Sequence, residues 1–156
     1  MNPVPWVIAG VVVLLAIAAM LVIGRHKDGL PPNAVLPLDP YAATLTFSDL
    51  KMSESTSLSG GKSTYVDGLV KNSGAKTVTG ATVQVLFAND IAMPPQVETL
   101  PLTLIRTHEP YVDTQMVGDA PIAPGDKREF RLVFEGIASN WNQQLPEIRV
   151  VKVSAR

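Results

Sequence analysis

Ala81-Thr82-Val83-Gln84-Val85-Leu86-Phe87 places Ala81, Val83, Val85 and Phe87 at every second position. Glu129-Phe130-Arg131-Leu132-Val133-Phe134-Glu135 repeats the pattern with Phe130, Leu132 and Phe134. A period of two puts these side chains on one face of a pleated strand, whereas a helix would bring together positions three and four apart. Leu100, Leu102 and Leu104 give a third such run, and Pro101 inside it lacks the N–H that a ladder needs, which assigns this strand to a sheet edge. Residues 44–52, 64–71, 111–117 and 148–153 complete about seven strands. No helix-period segment follows residue 41. The expected fold of residues 41–156 is therefore all-β, an antiparallel immunoglobulin-like sandwich.

The turn residues refine this expectation. Asn72-Ser73-Gly74 can supply positive φ, which makes residues 65–87 read as a β-hairpin, and Pro124-Gly125 fits the centre of a type II turn before Phe130. Gly60-Gly61 marks a loop. Gly80 predicts a bulge ahead of the clean alternation, and Leu45, Phe47, Leu50 and Met52 slip phase once, as a bulge or a change of sheet would require.

Ahead of the domain, residues 5–23 run without a charge and end at Arg25-His26-Lys27. The Leu, Ile and Val residues there favour membrane insertion by about 3 to 7 kcal/mol, and a helix of this length spans a hydrocarbon core of about 30 Å. Trp6 and the basic residues suit the two headgroup zones. Residues 6–24 are expected to form a single transmembrane helix behind a short tail, 1–5. A cleaved signal peptide is the competing reading. It would need a basic start, which Met1-Asn2-Pro3 lacks, and a shorter apolar core. Residues 25–40 then read as a basic collar and a semi-rigid stalk, with Pro31, Pro32, Pro37 and Pro40 favouring extended polyproline II. Pro37-Leu38-Asp39-Pro40 fits a Pro-x-x-Pro ligand, but no basic residue adjoins it.

Composition excludes several chemistries. The chain of 156 residues has a net charge of −1 with acids and bases interspersed, which offers nucleic acid no basic stripe. It contains no cysteine, so disulfides, thiolate metal sites and a cysteine nucleophile are ruled out together. His108 and His26 are the only imidazoles, and His26 lies in the collar, so no two-His metal site can form within the domain. Asp113, Asp119 and Asp126 lack the spacing of a calcium loop. A Ser–His–Asp triad built on His108 has no Gly-x-Ser-x-Gly elbow to favour it. No catalytic, cofactor or metal residue is assigned.

Two residues are candidates for interaction. Asp67 stands in an otherwise apolar strand beside Gly68, where it can face solvent, cap a turn or bind a ligand. Trp141, followed by Asn142, can plug one end of the sandwich with its N–H on a nearby acceptor, or stand exposed as a recognition aromatic.

Residues 65–74, 78–87, Ala123-Pro124-Gly125 before Phe130-Arg131-Leu132-Val133-Phe134, and Trp141-Asn142 with Pro146-Glu147-Ile148 resemble a bacterial family of short, membrane-anchored β-sandwich proteins classed as a domain of unknown function. The chain is also loosely similar to FxLYD-like envelope domains, through a Gly-x-Val-x-Asn hairpin and a Pro-Gly turn before a Phe-containing strand. The resemblance implies a fold and an anchored layout. It carries no catalytic or binding residues over.

Together these readings lead to an expected non-enzymatic envelope module, anchored once in the bacterial cytoplasmic membrane, with a protein partner and no cofactor. The alternative is a small-ligand or lipid-handling sandwich with a cavity lined by Phe87, Phe130 and Phe134. A hydrolase comes third. Charge counting around the anchor favours a cytoplasmic domain. The resemblance implies an extracytoplasmic one, and that side is the expectation retained.

Overall fold

The computed structural model describes residues 31, 33–89 and 93–156 of the chain. The expected membrane helix and basic collar lie outside these residues. Among the described residues, no helix is long and apolar enough to cross a membrane.

Among the described residues a 3-10 turn, Ala42–Thr44, precedes eight strands: β1 Leu45–Thr56, β2 Lys62–Asn72, β3 Val78–Phe87, β4 Gln96–Pro101, β5 Thr103–Thr107, β6 Asp113–Met116, β7 Lys127–Glu135 and β8 Glu147–Ala155. They form two antiparallel sheets. One has five strands in the order β1-β2-β7-β5-β6 and the other three in the order β4-β3-β8. The all-β expectation holds, with eight strands in place of seven.

The extra strand arises at Pro101. Residues 100–104, read as one strand, are two, and they belong to different sheets. Pro101 ends β4 opposite Thr82, and the buried Leu102 donates its N–H to the Ala81 carbonyl at 2.9 Å as the chain crosses to β5. The missing N–H thus marks both a sheet edge, which β4 is, and the point where pairing changes partner.

The expected hairpin over residues 65–87 is also corrected. β2 lies in the larger sheet and β3 in the smaller, so Asn72-Ser73-Gly74 turns a corner between sheets. The positive φ angles of the described chain fall elsewhere, and none is at these three residues. Asn72 is fully buried and satisfied. Its Nδ2 donates to the carbonyls of Lys76 (2.8 Å) and Ile122 (3.0 Å), its Oδ1 accepts from Gly74 N–H (3.0 Å), and its backbone pairs with Asp126 and Gly125. A buried amide with every group paired fixes one geometry, since each lost partner would strand a polar atom away from water.

The other turn readings match the structure. Gly125 has φ +85° and the Asp126 N–H reaches the Ala123 carbonyl at 3.0 Å, closing the Pro124-Gly125 turn. The β1–β2 register shifts between Ser48 and Lys51, with Asp49 at φ 55°, so the phase slip is a bulge. A second shift separates Val78 from Gly80 along β8.

The core fills the space between the sheets. Val66 and Val70 of β2, Phe130, Leu132 and Phe134 of β7, and Val83, Val85 and Phe87 of β3 are all buried. Phe87 meets Phe134 edge to face at 5.0 Å, and Phe130 meets Phe47 at 5.4 Å. The three rings assigned to a ligand cavity in the alternative reading therefore pack in interior edge-to-face contacts.

Residues 33–40, expected as the outer part of a stalk, form an arm across the smaller sheet, and the compact unit begins at Asn33. Asn33 Oδ1 accepts from Val97 N–H on β4 (3.1 Å), the Gln84 side chain on β3 bonds Ala34 and Leu36, and Asp39 bonds Val150 and Val153 on β8. The arm explains why Gln84, a polar position in the alternation, is only 2% exposed. Asp39 donates its N–H to the Val150 carbonyl (3.0 Å) and accepts from Val153 N–H through Oδ2 (2.9 Å), which occupies part of the β8 edge that another chain could otherwise pair with.

Candidate functional site

Four registers bring three connections to one end of the domain. Thr56 pairs with Lys62, Ser63 with Glu135, Leu86 with Glu147 and Phe87 with Gln96, so residues 57–61, 88–89, 93–95 and 136–146 all lie there. Between the β1–β2 hairpin and the 136–146 connection opens a cleft of about 760 Å³. Met52, Glu54, Lys62 and Thr64 line one wall, and Ile137, Ser139, Trp141 and Gln143 the other. The lining mixes apolar side chains with polar ones, and the charged Glu54 and Lys62 stand among them.

Trp141 is positioned by the core below it. Its ring meets Phe87 edge-on at 5.8 Å and 89°, extending the Phe87–Phe134 contact toward the surface. The indole N–H donates to the Gln144 carbonyl at 3.1 Å. Backbone bonds then fix the connection itself: Trp141 N–H to Ala138 (3.0 Å) and Asn142 N–H to Ala88 (2.9 Å), while Gln96 Oε1 accepts from Ala138 N–H (2.7 Å). Gly136 at φ +90° suits glycine, but Gln143 at φ +61° holds a conformation unfavourable to a side chain of its type, and it lines the cleft. These bonds hold the connection in one conformation.

Asp67 lies away from this cleft, on the outward face of β2. Arg131 opposite it on β7 donates through Nε to Oδ1 (2.7 Å) and through an Nη to Oδ2 (2.6 Å), a bidentate pair. The guanidinium sits 4.7 Å from the Tyr65 ring centroid, and the Tyr65 hydroxyl meets Ser55 Oγ at 3.0 Å. Hydrogen bonding to Asp67 raises the Arg131 pKa above its ordinary value, against the opposing effect of burial and with the help of the nearby charge. Arg131 is the partner that sequence reading missed. Its outward position in β7 was legible, but its alignment with Asp67 depends on the β2–β7 register.

The remaining polar candidates are dispersed. His108 Nε2 lies 2.9 Å from Glu129 Oε2 in a pair whose side chains are both more than half exposed. Asp113 pairs with Arg106, and Asp126 Oδ2 accepts from the Ala123 N–H. Among the described residues no group of three or more His, Asp or Glu side chains is placed to hold a metal.

Residues 42–154 match the family described as a protein of unknown function, DUF2393. No curated protein and no solved structure matches the chain.

Proposed function

The chain belongs to the DUF2393 family, and from that premise we propose that it is a non-enzymatic, single-pass module of the bacterial envelope that presents its two-sheet domain to a protein partner. The observation carrying this reading is the pre-organised cleft, where Trp141 is seated on Phe87 and Gln143 is held at positive φ. Aromatic anchors held in well-packed surroundings are the usual centres of protein contacts. The pairing of Asp67 with Arg131 and of His108 with Glu129 supports structural roles for those side chains. The uncharged run 5–23 supports the anchor. The two antiparallel sheets, with a Pro-Gly turn before Phe130, support the immunoglobulin-like and loosely FxLYD-like assignment. Display outside the cytoplasm follows from the likeness to anchored sandwiches.

Photo-crosslinking in intact membranes tests the contact. A photoreactive residue at Gln143 should yield a discrete protein adduct, while one at the exposed Lys152 should not. Equal labelling from both positions, or none from position 143, would count against the reading. Resistance to carbonate extraction tests the anchor, and phosphatase and green fluorescent protein fusions after Arg156 test the side.

A further inference from the structure

We propose that the protein partner enters as an extended segment, which adds a strand to the free edge of β1 over residues 52–56 and lays every second side chain in the Trp141 cleft. It rests on the cleft reading above. Three observations carry it.

The first is which sheet edges are open. Among the described residues β8 is bonded by Asp39 at Val150 and Val153, β4 is bonded by Asn33 at Val97 and ends in Pro101, and β6 has only four residues. The remaining edge, β1, has twelve. It pairs with β2 alone, and beyond Leu45, whose N–H reaches the Ala42 carbonyl, no described group outside β2 bonds its backbone. A row of unpaired backbone groups is a template for one more strand.

The second is where those groups point. Ser57 N–H bonds the Gly61 carbonyl across the hairpin (2.8 Å), and bonded and non-bonded pairs alternate along an antiparallel ladder. Met52, Glu54 and Thr56, opposite Val66, Thr64 and Lys62, therefore turn their N–H and C=O groups away from β2. Their side chains take the inward face, since Val66 and Thr64 are buried, and Met52 and Glu54 line the cleft with Ile137 and Trp141. An added strand thus presents alternate residues to the cleft, where apolar side chains suit Met52, Ile137 and Trp141.

The third selects the occupant. The charged side chains of β1 are Asp49, Lys51 and Glu54, with Lys62 across the hairpin. The bulge at Asp49 confines regular pairing to the residues after it. A second copy pairing antiparallel over the whole of 52–56 sets Glu54 against its own counterpart, a destabilising like-charge contact. A different chain carries no such penalty.

The adduct formed in intact membranes by the full chain with a photoreactive residue at Gln143 is the probe. Compared with the free protein, the Met52, Glu54 and Thr56 amides should exchange hydrogen several-fold more slowly in the purified adduct. Those of Ser53 and Ser55, already bonded to β2, should change less. Glu54→Pro removes one outward N–H and no β2 bond, so adduct yield should fall about tenfold, the equivalent of one hydrogen bond. Glu54→Gln keeps that N–H and should keep the yield. Unchanged exchange at positions 52, 54 and 56, or an undiminished yield from Glu54→Pro, overturns the added strand while the cleft contact stands. The exchange measurement decides even where the proline destabilises the domain, because it uses the unaltered β1. Absence of any adduct from position 143 overturns both.

Discussion

Gly74 lies so close to Tyr41 that a Cβ on it would stand 2.1 Å from the tyrosine hydroxyl oxygen. That hydroxyl accepts from the Lys76 N–H (3.0 Å) and donates to the Lys76 carbonyl (3.1 Å), so Tyr41 holds the corner between the sheets. The glycine is needed for the close approach of a ring, not for an unusual φ. Gly74→Ala should destabilise the domain by about 1 to 3 kcal/mol through overpacking. Combined with Tyr41→Ala, its effect should be much smaller than the sum of the two singles, as denaturant titration of all four proteins would read. Strict additivity would mean that the two residues do not meet.

The Asp67–Arg131 pair is 27% and 19% exposed, shielded enough for its hydrogen bonds to matter. Arg131→Met should cost about 1 to 3 kcal/mol, the range for hydrogen bonds to charged groups. Asp67→Asn should cost less, because an amide retains part of the contact. Since the Arg131 pKa is raised, the guanidinium contribution is fully present below its ordinary range and is lost only as pH rises through the still higher folded value. Replacing Arg131 should therefore cost the same at neutral and mildly alkaline pH. A cost that changed across that interval would contradict this.

Phe130→Ala and Phe134→Ala should each cost about 3 to 5 kcal/mol, the range for emptying a buried aromatic site. Both rings are buried and each has an edge-to-face neighbour, Phe47 and Phe87 respectively. Phe134→Ala should also alter the fluorescence of Trp141, since Phe87 bridges the two rings. An unchanged Trp141 signal in a protein destabilised by that amount would break the proposed link between core and cleft.

The strands with clean alternation were legible because that signal is local: Phe130, Leu132 and Phe134 each report the face they occupy. The sheet each strand joins was not, because Asn72 and Leu102 redirect the chain through partners distant in sequence, such as Ile122 and Ala81. Pro101 shows the boundary well, since its missing N–H announced an edge but not a crossing. Gln84 shows the converse: its polar character suited a solvent-facing site until the arm covered it. At the candidate site, Trp141 was visible as a lone large aromatic. The cleft beside it requires the β1–β2 hairpin, and Asp67 finds Arg131 64 residues away.

The arm also gives the domain a mechanical response. Its attachments are reached in series along the chain, Asn33 first, then Ala34 and Leu36, and Asp39 last. Tension applied at the N-terminal side loads these bonds one at a time, whereas the many ladder bonds within each sheet share a load. The arm therefore peels before either sheet yields, releasing up to about 24 Å of slack. A sudden pull is absorbed by a segment that can zip back onto β4, β3 and β8 when the force relaxes.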